Sequence, residues 1–461
     1  MPKSFRRRSY NALPALAVRG PALRASLQII TAGWMVGVFW AVFIYGSGWE
    51  ILASMVGFDD FSFGLLQAAP HTATVFLLVA SILIERTGLT KYQFVFFGLI
   101  HRLLWIAVAG VPLVVHVPSS LAVWVTLAIV FASWCAEALS RPAWLTWMGV
   151  LIPPRIRGRY WGRRMQFTTG MQIIAGLGIN YIISRMQPAA GTASAIEHPH
   201  LLHGLMLLLA VTSICGVVDI LLFLRVHEVI AATEPRAASQ SGRRSPLVML
   251  HWSLIQPFRD REFSRFIRCD MLMSFAMGAV GIYSLRNMRI NLEMDAFRIG
   301  LLCFLVGPMA GIVSARFVGR MIDKWGPRPV MTYAAFGTTL GILPFLFMWK
   351  NMPGLMPLCV LTFIAGGAMW GSFLIGQSTV QLRFGDRPGA SRYVSAYNFY
   401  LGVGGMTGAL LAGGLTGWLE PHQLTLGPLV WRNWHAAFAL SLAARTAGAM
   451  ILRGKDAPAK V

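Results

Sequence analysis

The sequence predicts an all-α integral membrane protein of about twelve transmembrane helices, arranged as two pseudo-symmetric six-helix bundles. Three observations carry this prediction. Apolar runs of roughly 18 residues or more, each long enough to cross about 30 Å of hydrocarbon as a helix, recur along the 461-residue chain. Charged residues make up 13% of the chain and hydrophobic residues 56%, whereas a soluble domain carries about 25% charged residues. Charged turns also recur at matching places in the two halves, which points to an internal duplication. Backbone groups in lipid must be satisfied within the segment, so helices are the expected element.

In order, the apolar runs place spans at 27–48, 62–84, 93–115, 121–145, 166–187, 201–225, 266–284, 298–318, 329–349, 356–377, 396–418 and 434–452. Residues 1–26 read as a basic cytoplasmic tail and 27–228 as an N-terminal six-helix bundle. Residues 229–262 read as a cytoplasmic linker, 263–453 as a C-terminal six-helix bundle and 454–461 as a second cytoplasmic tail. The linker contains "EPRAASQSGRRSPL", whose Ser, Arg, Pro and Gly content suits a connection between halves.

With both termini inside, most of the 40 Lys and Arg fall on cytoplasmic segments, a few fall outside, and Arg102 and Arg141 are left within spans. That distribution obeys the positive-inside rule. The net charge of +22 therefore orients the chain against anionic lipid, and nucleic acid is not expected as a partner. The reading is a multi-pass protein of a bacterial-type inner (plasma) membrane, monomeric and in contact with the lipid bilayer. The five cysteines lie in or beside apolar runs without ligand spacing. The histidines of "EHPHLLH" lack a further partner, and no metal or cofactor is expected.

The repeat is legible in two places. "SILIERTGLTK" follows span two and "GRMIDKWGPRP" follows span eight, and aligning their charges pairs Glu85 with Asp323, Arg86 with Lys324 and Gly88 with Gly326 at an offset of 238 residues. The loops after spans four and ten, "RIRGRYWGRR" and "DRPGASRYVSAY", both hold an Arg-Tyr pair, Arg159-Tyr160 and Arg392-Tyr393.

At these residues the chain resembles the major facilitator superfamily of transporters. The hallmark of that family is a G-x-x-x-D-(R/K)-x-G-x-(R/K) loop between spans two and three, often echoed between spans eight and nine. Gly319, Asp323, Lys324, Gly326 and Arg328 match it in full, while the first copy has Ser81 for Gly and Glu85 for Asp. The resemblance covers all twelve spans and the linker. It implies the MFS fold, alternating access and a gating role for Glu85, Arg86, Gly88, Gly319, Asp323, Lys324, Gly326 and Arg328. Physically, a glycine at 319 permits close helix approach, and an acid four residues later lies on the same helix face. Near a membrane boundary that acid suits the N-terminal turn of a neighbouring helix, and Gly326 with Pro327 stops the helix.

Ionisable groups within spans are functional candidates, because translocon scales put a central charge at about 2.5–3.5 kcal/mol. In chain order these are His71 in span two, His101 with Arg102 in span three, Glu137 with Arg141 in span four, Asp219 in span six and Asp270 with Arg268 in span seven. Glu137 and Arg141 are four apart and share a helix face. Each of these residues also has a purely structural reading, as an ion pair, a snorkelling side chain or a packing histidine. The family resemblance assigns the cavity lining to spans one, four, seven and ten, which nominates Trp34, Trp40, Tyr45 and Trp134, then Ser274, Trp370, Ser372 and Gln377. Gly404, Gly408 and Ala412 in span eleven, and Gly170 and Gly178 in span five, are spaced for close packing.

The expected function is an alternating-access secondary transporter of a small organic solute, proton-coupled because no Walker A motif offers ATP. The alternative is a non-transporting receptor or scaffold on the same fold. An enzyme is not expected, since no paired-acid, His-rich or Ser/His/Asp arrangement is present.

Overall fold

Among the described residues of the computed structural model ten helices are long and apolar enough to cross a membrane, and two further elements complete twelve spans. The structure describes residues 20–187, 198–227, 255–385 and 390–453, so the linker up to residue 254 and both tails beyond these limits lie outside the described residues. In the first half the spans are span 1 (Gly20–Ile44), span 2 (Asp60–Thr72 continued by Phe76–Thr87), span 3 (Thr90–Val114), span 4 (Ser120–Leu151), span 5 (Pro154–Met186) and span 6 (Pro199–Leu222). In the second half they are span 7 (Arg261–Arg286), span 8 (Ala296–Trp325), span 9 (Pro327–Leu346), span 10 (Leu355–Gly385), span 11 (Ala390–Leu419) and span 12 (Trp434–Arg453). The helix of span 2 breaks into a 3-10 turn at Ala73–Val75, just after Pro70. Proline has no N–H to donate and crowds the preceding turn. Span 5 opens on an arginine-rich run, "PRIRGRYWGRR", and its apolar part is diluted by Thr, Gln, Gly and Asn.

Span 1 ends at Ile44, short of the residue 48 expected from its apolar run. Ser47–Val56 instead form a separate helix, almost wholly buried, that stops at Gly57 in a left-handed conformation (φ 112°). Twelve alternating crossings put the first described residue and the last on one side, here called the terminal face. The short helix lies on the opposite face, as does a two-stranded hairpin, Leu424–Leu426 against Leu429–Trp431.

The packing repeats with an offset of six spans. Span 1 packs on spans 5 and 6, span 3 on spans 4 and 6, and span 2 on span 4; span 7 packs on spans 11 and 12, span 9 on spans 10 and 12, and span 8 on span 10. Local features repeat too. Gly88 and Gly326 both take positive φ (65° and 82°), and their N–H groups donate to Ile84 and Ile322 carbonyls at 2.8 Å. Only glycine adopts such a conformation at little cost. Lys91 Nζ donates to the Leu224 and Val226 carbonyls at the end of span 6, both at 2.8 Å. Arg328 Nε does the same for the Leu452 carbonyl of span 12 at 2.9 Å. Tyr160 donates to the Leu27 carbonyl in span 1, and Tyr393 to Asp260, which caps span 7.

The halves meet through spans 2 and 11 and through spans 5 and 8. Glycine makes both seams. A Cβ on Gly413 would lie 2.7 Å from Gly64 Cα, one on Gly417 3.1 Å from Phe61, and one on Gly176 would strike Phe304. Gly404 and Gly408 lie against the Met271 and Phe275 backbone of span 7, so span 11 carries one glycine face for its own bundle and another for the opposing half. The close approaches between spans 2 and 11 end at Thr74 and Gly402. Gly170, Gly178 and Gly319 have nothing within 4 Å of a Cβ. The expected tight packing at these three positions is absent: Gly319 lies towards the terminal face, where the bundles splay, and Gly178, between Gly176 and Asn180 that both meet span 8, lies on a side of its helix turned away from the seam.

Overpacking a backbone contact costs about 1–3 kcal/mol, whereas replacing an unconstrained helix glycine by alanine gains up to about 1 kcal/mol. Gly278, whose Cβ would come within 3.0 Å of the Gly405 carbonyl carbon, provides the first case and Gly319 the second. Gly278→Val should lower the thermal unfolding temperature of the purified protein and Gly319→Ala should leave it equal or higher.

Candidate functional site

Spans 1, 3, 4 and 6 enclose a cavity of about 440 Å³ in the first bundle, lined by Trp34, Trp40, Trp134 and Trp144 with Glu137 and Arg141. Arg141 donates from Nε (2.9 Å) and Nη2 (2.8 Å) to Glu137 Oε1, and the two side chains are 53% and 25% exposed. Helical spacing builds this pair, and its exposure makes it reachable from the cavity. Tyr45 also lines the cavity.

A second ion pair, Arg102 with Asp219, also lines the cavity. Asp219 of span 6 is buried, and its Oδ2 lies 3.8 Å from Arg102 Nη2 of span 3. Two glycines of span 1 make room for it, since a Cβ on Gly33 would stand 3.0 Å from Asp219 Oδ1 and one on Gly37 would overlap the carboxylate. The Arg102 guanidinium stacks over the Trp40 ring at 3.7 Å, a contact that strengthens when desolvated. His101 packs against Trp40 and Trp134 and meets Ser133 Oγ at 2.7 Å from Nδ1. Arg164 of span 5 lies over Trp34 at 4.2 Å and Trp161 at 4.5 Å.

The second bundle is arranged differently. Asp270 is buried and accepts from Gln377 Nε2 at 3.0 Å, with Tyr397 beside the carboxyl; no cation pairs with it among the described residues. Arg268, its neighbour in sequence, turns outward and donates to the Ser264 carbonyl. Ser274 donates to the Leu401 carbonyl of span 11, and Ser372 back to Ala368. Trp370 stacks on Phe373 and lies 5.7 Å from the Arg445 guanidinium. Arg445 is buried inside span 12, where it donates to Ser441 Oγ (3.2 Å) and the Thr338 carbonyl (3.4 Å). Basic residues within spans thus extend beyond Arg102 and Arg141. Asp270, Trp370, Gln377, Ser274 and Ser372 are not brought to the aromatic cavity, which draws on spans 3 and 6 where spans 7 and 10 were expected.

His71 belongs to neither group. It follows Pro70 at the break in span 2 and its ring abuts Gly405 of span 11, so it sits in the seam between halves. Of the loop residues, Arg86, Asp323 and Lys324 are exposed, while Glu85 has a side chain outside the described set. Asp323 has no ion-pair or hydrogen-bond partner among the described residues, and the Lys324 ammonium lies near the Trp325 ring.

The largest polar assembly lies where the halves close on the opposite face. Glu50, with no exposed surface, receives two bonds from Arg289 across the seam, Nε to Oε2 at 2.6 Å and Nη2 to Oε1 at 2.8 Å. Arg286 reaches Asp60 Oδ1 at 2.9 Å and Glu50 Oε1 at 3.6 Å. Ser54 accepts from both arginines. Asp60 also accepts from Asn433, and its backbone carbonyl from the Tyr283 hydroxyl at 2.7 Å. Sequence reasoning missed this cluster, because Glu50 reads as the end of an apolar run and the arginines as ordinary loop charges. One signal was available: Glu50 and Arg289 are 239 residues apart, within one residue of the repeat offset. Positions related by the pseudo-twofold meet where its axis crosses the seam.

Residues 29–409 match the family described as the Major Facilitator Superfamily, and the chain belongs to that superfamily of transporters. None of the curated proteins matches the sequence. Among solved structures, the nucleoside transporter NupG superposes with a TM-score of 0.63 at 15% identity, covering 94% of this chain and 98% of that one. A D-xylose–proton symporter gives 0.65 at 15% identity, with 94% and 97% covered. A bacterial homologue of the iron transporter ferroportin in its inward-facing state gives 0.58 at 12% identity, with 93% and 98% covered. At these identities the likeness establishes the shared fold.

Removing one member of a buried ion pair leaves the other uncompensated, which costs about 3–5 kcal/mol, whereas removing both costs much less. Glu50→Gln and Arg289→Met should each lower the thermal unfolding temperature, and the double substitution should lower it by clearly less than the sum. Strictly additive shifts would count against direct coupling across the seam.

Proposed function

We propose that the protein is an alternating-access secondary transporter that moves a small organic solute across the membrane with proton coupling. The observation that carries this reading is the one-sided closure of the two bundles. Glycine seams and a buried charge cluster close one face, while the motif loop at Gly319–Arg328 stands open on the other. Two bundles rocking about a central site is how such repeats give access from each side in turn. With the terminal face taken as cytoplasmic, as the basic charge suggests, this is an inward-facing arrangement.

The solute site is assigned to the aromatic cavity, with Glu137 and Arg141 supplying the few polar contacts that orient a ligand in a mostly apolar pocket. Trp34 forms part of its wall. Asp219 serves this site by holding Arg102 under Trp40. The coupling role is assigned to Asp270, a buried carboxyl held by neutral Gln377 and therefore free of a competing cation. His71, placed in the moving seam, is a second candidate for that role. Asp323 and Glu85 are the acids that would engage neighbouring helices once the terminal face closes.

The roles separate experimentally in proteoliposomes, using a solute found by ligand-induced thermal stabilisation of the purified protein. Asp270→Asn should abolish accumulation driven by a pH gradient while solute exchange at equal pH persists. Glu137→Gln should weaken both together, because it acts on solute binding. Full gradient-driven accumulation by Asp270→Asn would remove Asp270 from coupling.

A further inference from the structure

Away from the cavity and the seam, the terminal face carries a groove between spans 9 and 12 with a volume of about 430 Å³. Its lining changes character with depth. Arg328, at the start of span 9, and Arg453, at the end of span 12, stand at the membrane boundary. Thr332, Tyr333 and Phe336 follow along span 9 towards the hydrocarbon, and Tyr333 is 69% exposed. Arg328 is held in place by its Nε bond to the Leu452 carbonyl, and Arg453 is exposed at the rim. Among the described residues no acid lines the groove. A smaller cavity shares Arg328 and Leu452 with it and adds Arg265 and Glu262, so two bases and one acid line it among the described residues. Span 9 also presents the positive end of its dipole to this boundary.

We propose that this groove binds an anionic phospholipid, with the headgroup phosphate between Arg328 and Arg453 and an acyl chain along Tyr333 and Phe336. The charge complementarity selects the phosphate. The apolar lower wall selects the lipid over a free phosphate, which would have no use for two aromatic rings beneath it. Basic pockets between spans at a membrane boundary recognise such headgroups, and guanidinium suits phosphate geometry. Because Arg328 closes the turn that joins spans 8 and 9, the lipid touches the same loop that begins at Gly319.

The test is lipid titration of the full-length protein followed by native mass spectrometry. The probes are dioleoylphosphatidylglycerol, dioleoylphosphatidylcholine and glycerol 1-phosphate. The phosphatidylglycerol should bind more tightly than the phosphatidylcholine, and Arg453→Gln should weaken it by about five-fold, the value of one basic side chain near an anionic headgroup. Arg24→Gln, an equal loss of charge on exposed span 1, should leave it unchanged. Among the described residues Arg453 makes no hydrogen bond or ion pair that its loss would break, so the variant reports on binding even if Arg328→Gln does not fold. Equal binding of the two lipids, or equal weakening by Arg24→Gln, would overturn the proposal. So would glycerol 1-phosphate displacing the lipid at equal concentration, since the ligand would then be a free phosphate.

Discussion

The arrangement of the two bundles depends on a bidentate ion pair, Glu50 with Arg289, that has no exposed surface on the carboxylate side. Burying two charges is costly unless geometry and further hydrogen bonds compensate. Here the compensation is dense: Ser54, Arg286, Asp60 and Asn433 surround the pair, and Tyr283 fastens the backbone of Asp60. Every named member of this cluster that belongs to the first half lies on the short helix Ser47–Val56 or at the start of span 2, and every named member from the second half lies at the end of span 7, in the turn just after it, or just before span 12. The cluster therefore joins the bundles at one face, and among the described residues the other face has no comparable tie.

The glycine seams follow from that constraint. Once the opposite face is drawn together, spans 2 and 11 approach at Gly64 and Gly413, and spans 5 and 8 at Gly176 and Phe304. Each approach requires an absent side chain. Beyond Thr74 and Gly402 the helices diverge, and the glycine of the motif loop, Gly319, faces open space. The two halves share a plan but differ in chemistry. The first holds its acid Asp219 against Arg102, while the second keeps Asp270 and Arg445 apart and gives each neutral partners.

Much of the fold was legible in the sequence because hydrocarbon thickness sets a length that apolar runs reveal. The repeat was legible because the charged turns must recur wherever six-span units recur, and Gly88 and Gly326 both take a positive φ, although their ψ angles differ. Boundaries were less legible. Span 5 begins at Pro154, twelve residues before its apolar run, because an arginine-rich helix continues beyond the hydrocarbon. Contacts were legible only when local: Glu137 with Arg141 follows from helical spacing, whereas Asp270 with Gln377 spans 107 residues and Glu50 with Arg289 spans 239. Such pairs depend on how bundles dock, which periodicity within one span does not encode.

The claim that the Glu50–Arg289 pair holds the opposite face closed is tested most directly by spin-label distances. One pair of labels at Thr87 and Lys324 reports on the terminal face, and another at Ser120 and His422 on the opposite face, all four being exposed or loop-proximal positions. In the Glu50→Gln variant the account predicts a longer opposite-face distance together with a shorter terminal-face distance, as the bundles rock about the centre. Distances unchanged on both faces, in a variant that remains folded, would contradict it.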